Sequence, residues 1–226
     1  MRPFVFVNIA MSADGKISTG ERRQVKISGS EDYLRVDRIK AESDAIMVGI
    51  GTVLADNPSL TVKSPEHRAG RRAAGKDENP IRVVVDGRGR TPLDADILHK
   101  GSGKRIIAVS GKAPSDAVDA LRQHAAVIVA GDETVDLEAL LEDLYRQGVR
   151  RLMVEGGGRL IWTLFEQGLI DEFQAFIGNI IIGGMDAPTP VDGAGFIQEV
   201  DFTRLHLIDA ERIDDGLLVR WSVPRE

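Results

Sequence analysis

The sequence predicts a three-layer α/β fold whose sheet is mostly parallel with an antiparallel C-terminal edge. Three observations lead there. Apolar runs of strand length alternate with helix-patterned segments over the first three quarters of the chain. Two strand-like segments near the C-terminus flank an Asp-Asp-Gly turn, which is a hairpin signal. Glycine-rich stretches recur just past the apolar runs, where open α/β sheets carry their ligands. No internal repeat or low-complexity tract interrupts the pattern, and residues 1–226 are expected to form a single domain.

Residues 3–10 (PFVFVNIA) are β-branched and aromatic and read as a buried strand, closed by the turn signal Asp14-Gly15. Ser28-x-x-Glu31 has the capping-box spacing and starts a helix to about residue 42, with Tyr33, Val36 and Ile39 on one stripe. Residues 45–50 (AIMVGI) read as a strand covered on both faces, followed by a helical turn at 52–55 that Asn57-Pro58 stops. The polar, aperiodic stretch 64–79 reads as a mobile loop. Strands follow at 81–86, 105–110 and 126–130, and Ser115 caps a helix bearing Ala117, Val118 and Leu121. Leu137, Leu140, Leu141 and Leu144 mark a helix over 136–147, with Gly148 at its C-terminal end. Strand 151–155 leads through three glycines into helix 159–167, which Gly168 ends. Residues 172–177 form a further strand, and 205–213 with 217–223 make the closing hairpin.

Apolar residues are 42% and charged residues 28% of the 226, which fits a globular core and excludes a disordered chain or a coiled coil. The 29 basic against 35 acidic residues leave a net charge of −6. No nucleic acid or membrane partner is therefore expected, and an anionic ligand needs a local basic site. The absence of cysteine excludes disulfides, thiolate zinc and a cysteine nucleophile. His67, His99, His124 and His206 are scattered without metal-ligand spacing, so no metal is expected. The opening apolar run is short and includes Asn8, unlike a signal peptide, and no stretch reaches the roughly 20 apolar residues of a membrane span. A soluble, cytoplasmic protein is the expectation.

The strongest local motif is Val154-Glu155-Gly156-Gly157-Gly158-Arg159-Leu160. Three glycines between strand and helix let the backbone approach a ligand, and the helix start offers N–H groups to a phosphate. Three glycines after a carboxylate favour ligand binding over a plain tight turn. The motif is neither a dinucleotide fingerprint nor a P-loop. Gly87-Arg88-Gly89-Arg90 follows a strand directly, and its arginines suit a 2′-phosphate, though a solvated turn explains them equally well. Thr52 and Asp56 suit a phosphate or ribose, or simply cap and end a helix. Lys40 and Lys63 read locally as solvated lysines, Asp14 as a turn residue, and Trp162 and Phe165 as core. No nucleophile triad or carboxylate pair stands out. That profile fits a reductase, in which a cofactor supplies hydride and the protein supplies position.

The stretches Asn8 to Lys16, Asp44 to Pro58, Val154 to Gly158, and Gly183-Gly184 with Ala187-Pro188-Thr189 resemble the reductase of riboflavin biosynthesis, nearly end to end. The resemblance implies a dihydrofolate-reductase-like fold. Bacterial relatives fuse this domain to a zinc deaminase, whereas this chain resembles the stand-alone form. It implies NADPH-dependent reduction of 2,5-diamino-6-ribosylamino-4(3H)-pyrimidinone 5′-phosphate to its ribitylamino counterpart. The family's NADP site carries over onto Ala10, Thr52, Asp56, Gly87, Arg88, Gly156, Gly157, Gly158 and Arg159, and local reading adds Gly89 and Arg90. The substrate site carries over onto Lys40, Leu60, Lys63 and Glu155, where Lys40 and Lys63 replace arginines of the fused form. The tryptophan that the bacterial form places near the nicotinamide has Lys26 in its position. The ribosylamine is expected to open to an imine whose carbon receives hydride, with Glu155 as the catalytic carboxylate beside the developing cation. A homodimer is also implied, with strand 172–177 and Gly183-Gly184 expected at its interface. A dihydrofolate or pterin reductase and a non-catalytic NADP-binding regulator are the alternatives.

Overall fold

Runs of β-branched residues form the strands of this chain, and their burial shows how they are covered. The computed structural model describes residues 1–22 and 25–224. In chain order its elements are β1 (Phe4–Ser12), α1 (Ser30–Glu42), β2 (Ala45–Gly49), α2 (Ile50–Asp56), α3 (Pro65–Ala73), β3 (Ile81–Val85), α4 (Asp96–His99), β4 (Arg105–Val109), α5 (Ser115–Arg122), β5 (Ala126–Val129), α6 (Leu137–Arg146), β6 (Arg151–Gly156), α7 (Gly158–Glu166), β7 (Glu172–Gly178), β8 (His206–Ile213) and β9 (Gly216–Ser222). They fall into two compact units, one of Met1–Pro3 and Val36–Met153, the other of Phe4–Arg35 and Val154–Glu226. The parallel strands alternate with helices and the antiparallel pairs lie at the C-terminus, as the sequence predicts.

In the first unit β2 pairs with β3, β3 with β4 and β4 with β5, all parallel. Every residue of β2 is buried, as is the centre of β3 and β4, so these strands are covered on both faces. The register Gly49↔Val85 brings the carboxyl ends of β2 and β3 to the same level. α2 and the Gly87–Arg90 turn therefore leave the sheet side by side. α6 buries Leu137, Leu140, Leu141 and Leu144 on one face, and the Asp136 side chain caps it by accepting from Ala139 N at 2.9 Å.

Two expectations for this unit need correction. Residues 64–79 are no loop, because α3 occupies much of the stretch. Ser64 caps it by accepting from His67 N at 3.2 Å, and Pro65 suits its first turn. The buried Arg71 holds it down through the carbonyls of Ala41 (2.7 Å), Ser43 (2.8 Å) and Asp77 (2.8 Å). The residue before α5 is Pro114, so Ser115 is its first helical residue rather than its cap. Arg82, inside an apolar strand, is fully buried and donates to the carbonyls of Lys100 (2.6 Å), Ser102 (2.7 Å) and Gly103 (3.0 Å). Burial pushes its pKa down to about 10, with the Arg105 charge adding to the effect and Asp77 opposing it.

In the second unit β1 pairs parallel with β7, β7 antiparallel with β9, and β9 antiparallel with β8. Asp171 fixes the start of β1 by accepting from Val5 N at 2.8 Å. Phe173 packs between Phe165 and Trp221 at centroid distances of 5.7 and 5.9 Å, and Trp162 packs on Phe196 at 4.7 Å. β7 lies between two strands and is mostly buried, so the expected interface on 172–177 is overturned.

The start of α1 also differs from its sequence reading. Its N-terminal N–H groups are capped from a distance. Asp214, in the β8–β9 turn, accepts from Glu31 N at 3.1 Å and Asp32 N at 3.0 Å. Tyr33 is 53% exposed, while Asp32 and Arg35 are buried. Arg35 donates to Asp32 (2.8 Å), Asn8 (2.7 Å) and Gln174 (3.2 Å), so this part of the helix docks through a satisfied polar network rather than an apolar stripe.

Candidate functional site

Within the first unit, the ends of β2 and β3 present the predicted cofactor residues. α2 begins directly after Gly49 and carries Thr52, half-buried, and Asp56 in its last turn. Crowding of the Asp56 carboxyl raises its pKa, although the residue as a whole is exposed. After β3, the fully buried Asp86 accepts from Thr91 N at 2.7 Å and Thr91 Oγ1 at 2.8 Å, closing a tight turn. Gly87 O accepts from Ser110 Oγ at 2.7 Å. Gly89 has φ +65°, and a Cβ there would stand 3.3 Å from Ala117 Cβ, so the turn needs glycine. The result is a rigid loop that displays two exposed arginines. Arg90 Nε lies 3.8 Å from Asp86, whereas Arg88 makes no ion pair among the described residues.

The predicted substrate residues of this unit lie on α1 and on the strap 57–64. Leu60 is buried with φ +50°, so the strap bends sharply there. Lys63 Nζ donates to Thr61 Oγ1 at 2.8 Å and Ser59 Oγ at 3.1 Å. Crowding of its ammonium, then the charge of Lys40, push its pKa below the usual lysine value, with Lys100 and Arg68 adding to this and Asp37 opposing it. The charges of Lys40, Arg68 and Lys100 thus all reach the Lys63 ammonium. Sequence reading missed the last two. Asp37, also missed, accepts from the backbone N–H of Lys63 at 2.5 Å and of Ser64 at 3.0 Å, and His67 Nδ1 lies 3.0 Å from it.

Within the second unit, β6 ends on the half-buried Glu155 and Gly156, with Gly156 at φ +154° and Gly157 at φ +91°. α7 then starts without a side-chain cap. A Cβ on Gly158 would stand 2.8 Å from both Asp192 Oδ2 and Thr189 O, so the helix start is tolerated only as glycine. Arg159 is exposed on the first turn and lines a cavity of about 540 Å³ with Lys16, Arg22, Asp186, Thr189 and Asp192. Lys16 Nζ donates to Ala187 O at 3.1 Å. Asp14 ties the turn before Lys16 to the glycine pair by accepting from Ser12 Oγ (2.6 Å), Ile182 N (3.0 Å) and Gly183 N (2.7 Å), which hold its pKa down at about 2. Ala10 lies half-buried on β1, paired with Phe176. Lys16 and Arg22 are functional candidates that local sequence reading did not pick out. Only the DGK triplet of Lys16 offered a signal. Among the described residues no group of histidine and carboxylate side chains is arranged to hold a metal ion.

Comparison with known proteins gives this geometry a context. The RibD C-terminal domain matches residues 3–219. A 2,5-diamino-6-ribosylamino-4(3H)-pyrimidinone 5′-phosphate reductase of Archaeoglobus fulgidus is 53% identical over 219 residues, 97% of each chain. A protein of the same description from Methanothermobacter thermautotrophicus is 45% identical over 223 residues, 99% of each chain. The solved structure of Acinetobacter baumannii RibD superposes with a TM-score of 0.79 at 26% identity, over 99% of this chain and 58% of that one. This chain thus spans little more than half of that larger structure but essentially the whole length of the two curated relatives. With residues 3–219 of 226 matched and identities well above 30%, the chain belongs to the RibD C-terminal domain family.

Proposed function

We propose that this chain reduces the ribosyl group of 2,5-diamino-6-ribosylamino-4(3H)-pyrimidinone 5′-phosphate to the ribityl form in riboflavin biosynthesis, with NADPH as reductant, and that residues 1–226 act as one reductase domain. The observation that carries this reading is the glycine cradle after Glu155. It leaves no room for a Cβ at Gly158 and adjoins a cavity lined by Lys16, Arg22 and Arg159. Close backbone approach, uncapped helix N–H groups and three cations fit the diphosphate of a nicotinamide dinucleotide. The two curated relatives carry the name of this reductase over their full length.

In the first unit Thr52 and Asp56 and the turn Gly87, Arg88, Gly89 and Arg90 are assigned to the cofactor, and Lys40, Leu60 and Lys63 to the substrate. In the second, Ala10, Gly156, Gly157, Gly158 and Arg159 serve the cofactor, joined by Lys16 and Arg22, and Glu155 serves the substrate. The bound nicotinamide supplies hydride. Glu155 is assigned the fixed negative charge beside the ribosyl carbon as it becomes cationic, and Lys40 and Lys63 are assigned the 5′-phosphate. Oxidation of NADPH measured with the ribosylaminopyrimidine phosphate beside dihydrofolate tests the reading. Turnover of dihydrofolate alone moves the chain to the alternative reductase class, and binding without turnover of either makes it a regulator.

Preference for NADPH over NADH follows from the exposed Arg88, which makes no ion pair among the described residues. Arg88→Ala is expected to raise KM for NADPH about tenfold and leave that for NADH nearly unchanged, as removal of one charge-assisted contact to a 2′-phosphate predicts. Equal use of both cofactors by the parent protein refutes the assignment.

The homodimer is retained as part of the proposal, but on a different face. β8 is the last strand in the second unit's order β1-β7-β9-β8. It exposes Leu207 (63%) and Ile208 (48%), and Val200 and Phe202 nearby are also exposed. An apolar strand edge of this kind favours pairing with a second copy. Sedimentation is expected to give a two-chain species that Leu207→Lys dissociates, and a single-chain parent at micromolar concentration overturns the assignment. Among the described residues no helix is long and apolar enough to cross a membrane, and a cytoplasmic location is proposed with the pathway.

A further inference from the structure

We propose that Asp37 is a positioning residue for the substrate-phosphate site, its carboxylate fixing the backbone of Lys63 and Ser64 and so aiming the Lys63 ammonium. This rests on the reading of Lys40 and Lys63 as phosphate ligands and names the residue that arranges them.

The strap 57–64 belongs to no helix or strand, so its course depends on side-chain anchors. Asn79 Oδ1 takes the N–H of Val62 at 2.9 Å, and Asn79 Nδ2 is itself tied to Ser102 O at 3.1 Å. At Lys63 and Ser64 both backbone N–H groups go to the same carboxylate, one to each oxygen of Asp37. Asp37 is 8% exposed and belongs to α1, one turn before Lys40. Residues three apart on a helix share a face, so one side chain ties the Lys63 strap to the helix that carries Lys40. α3 closes the arrangement from the other side. His67 Nδ1 lies 3.0 Å from Asp37 Oδ2, and His67 N donates to Ser64 Oγ.

The electrostatics give this restraint a purpose. The charges of Lys40, Lys100 and Arg68 each act against that of Lys63, and Lys100 is paired with Asp96 at 2.6 Å. Left to itself, a flexible strap relieves that repulsion by swinging Lys63 into solvent. Burial works against the charge of Asp37, but its bonds to Lys63, Ser64 and His67 outweigh it and hold the carboxyl below the usual carboxylate range. The carboxylate therefore stays charged at neutral pH, with its two oxygens anchored to backbone N–H groups. The cations remain gathered for a doubly negative phosphate.

A double-mutant cycle between Asp37→Asn and Lys63→Ala tests this, with KM and kcat measured for the phosphorylated substrate and for its dephosphorylated analogue. Asn keeps the shape but offers one acceptor for two N–H groups. Asp37→Asn alone is expected to raise KM for the phosphorylated substrate about tenfold, leaving kcat, the KM for NADPH and the analogue's KM within about twofold. Inorganic sulfate, competing with substrate, is expected to lose potency in parallel. Asp37→Glu retains the charge and is expected to restore most of the affinity. In the Lys63→Ala background, Asp37→Asn is expected to add almost nothing. An Asp37→Asn penalty that persists in that background, or that falls equally on both substrates, makes Asp37 merely structural and overturns the proposal. If Asp37→Asn does not fold, the cycle is run with Asp37→Glu, whose smaller penalty must likewise vanish with Lys63. A strong Lys63→Ala effect with a normal Asp37→Asn enzyme overturns this inference alone. An unchanged KM in Lys63→Ala overturns the phosphate reading and this inference with it.

Discussion

Glu155→Gln is expected to bind NADPH as the parent does and to lose turnover by about 10²–10³, the usual effect of removing one preorganised charge from a reacting centre. Glu155 is the last side chain of β6 before three glycines, so no neighbouring side chain on that segment can take over its role. Glutamine has the same shape, and the residue is only half-buried, so the fold is expected to survive. The carbon that accepts hydride carries positive charge in the protonated imine, and a neutral amide does little for it. Titration of cofactor binding by fluorescence, with single-turnover oxidation of NADPH, separates the two effects. Parent-like turnover in the variant removes Glu155 from the chemistry and leaves it as a ribose-holding or structural group.

Lys63→Ala is expected to weaken the phosphorylated substrate by about 1–2 kcal/mol, roughly five- to thirtyfold in KM, after discounting for solvent screening of an exposed ammonium. A dephosphorylated analogue should lose little. The depressed pKa of Lys63 adds a pH signature. Because the ammonium gives up its proton below the usual lysine value, phosphate affinity should begin to fall at a lower pH than for an ordinary lysine. Comparison of kcat/KM for both substrates across alkaline pH checks both statements. Equal loss on both substrates assigns Lys63 to the fold or the cofactor.

Much of this architecture is legible in the sequence because hydrophobic period and strand length report it directly. β2, β3 and β4 appear as apolar runs, α6 as a leucine stripe, and the glycine run between β6 and α7 as a break that no core packing requires. What is not legible is polar structure held by long-range partners. α3 has almost no apolar face, and its stability comes from Ser64, Pro65 and the carbonyls around Arg71. The first turn of α1 is capped by Asp214, more than 180 positions away, so a local capping box misassigns it. Asp14 reads as a turn residue, yet its carboxylate also clasps residues 182 and 183. The site shows the same division. Glycines and arginines after strand ends announce themselves, whereas Lys40 and Lys63 look like any surface lysines. Asp37, Lys16 and Arg22 gain meaning only from what the fold places beside them.

The discontinuity of the second unit affects how the chain is made. Its strand β1 leaves the ribosome first, but Phe6 pairs with Glu172, 166 positions later, and the Asp214 that caps α1 follows later still. At about 5–20 residues per second, β1 waits roughly 8–33 s for β7. The first unit, continuous from Val36 to Met153 apart from three N-terminal residues, has no such delay. Its parallel strands and helices can assemble while the apolar segment FVFVNIAMS is still unpaired. During synthesis that segment is an unpaired apolar strand, and its pairing with β7 is the event that retires it.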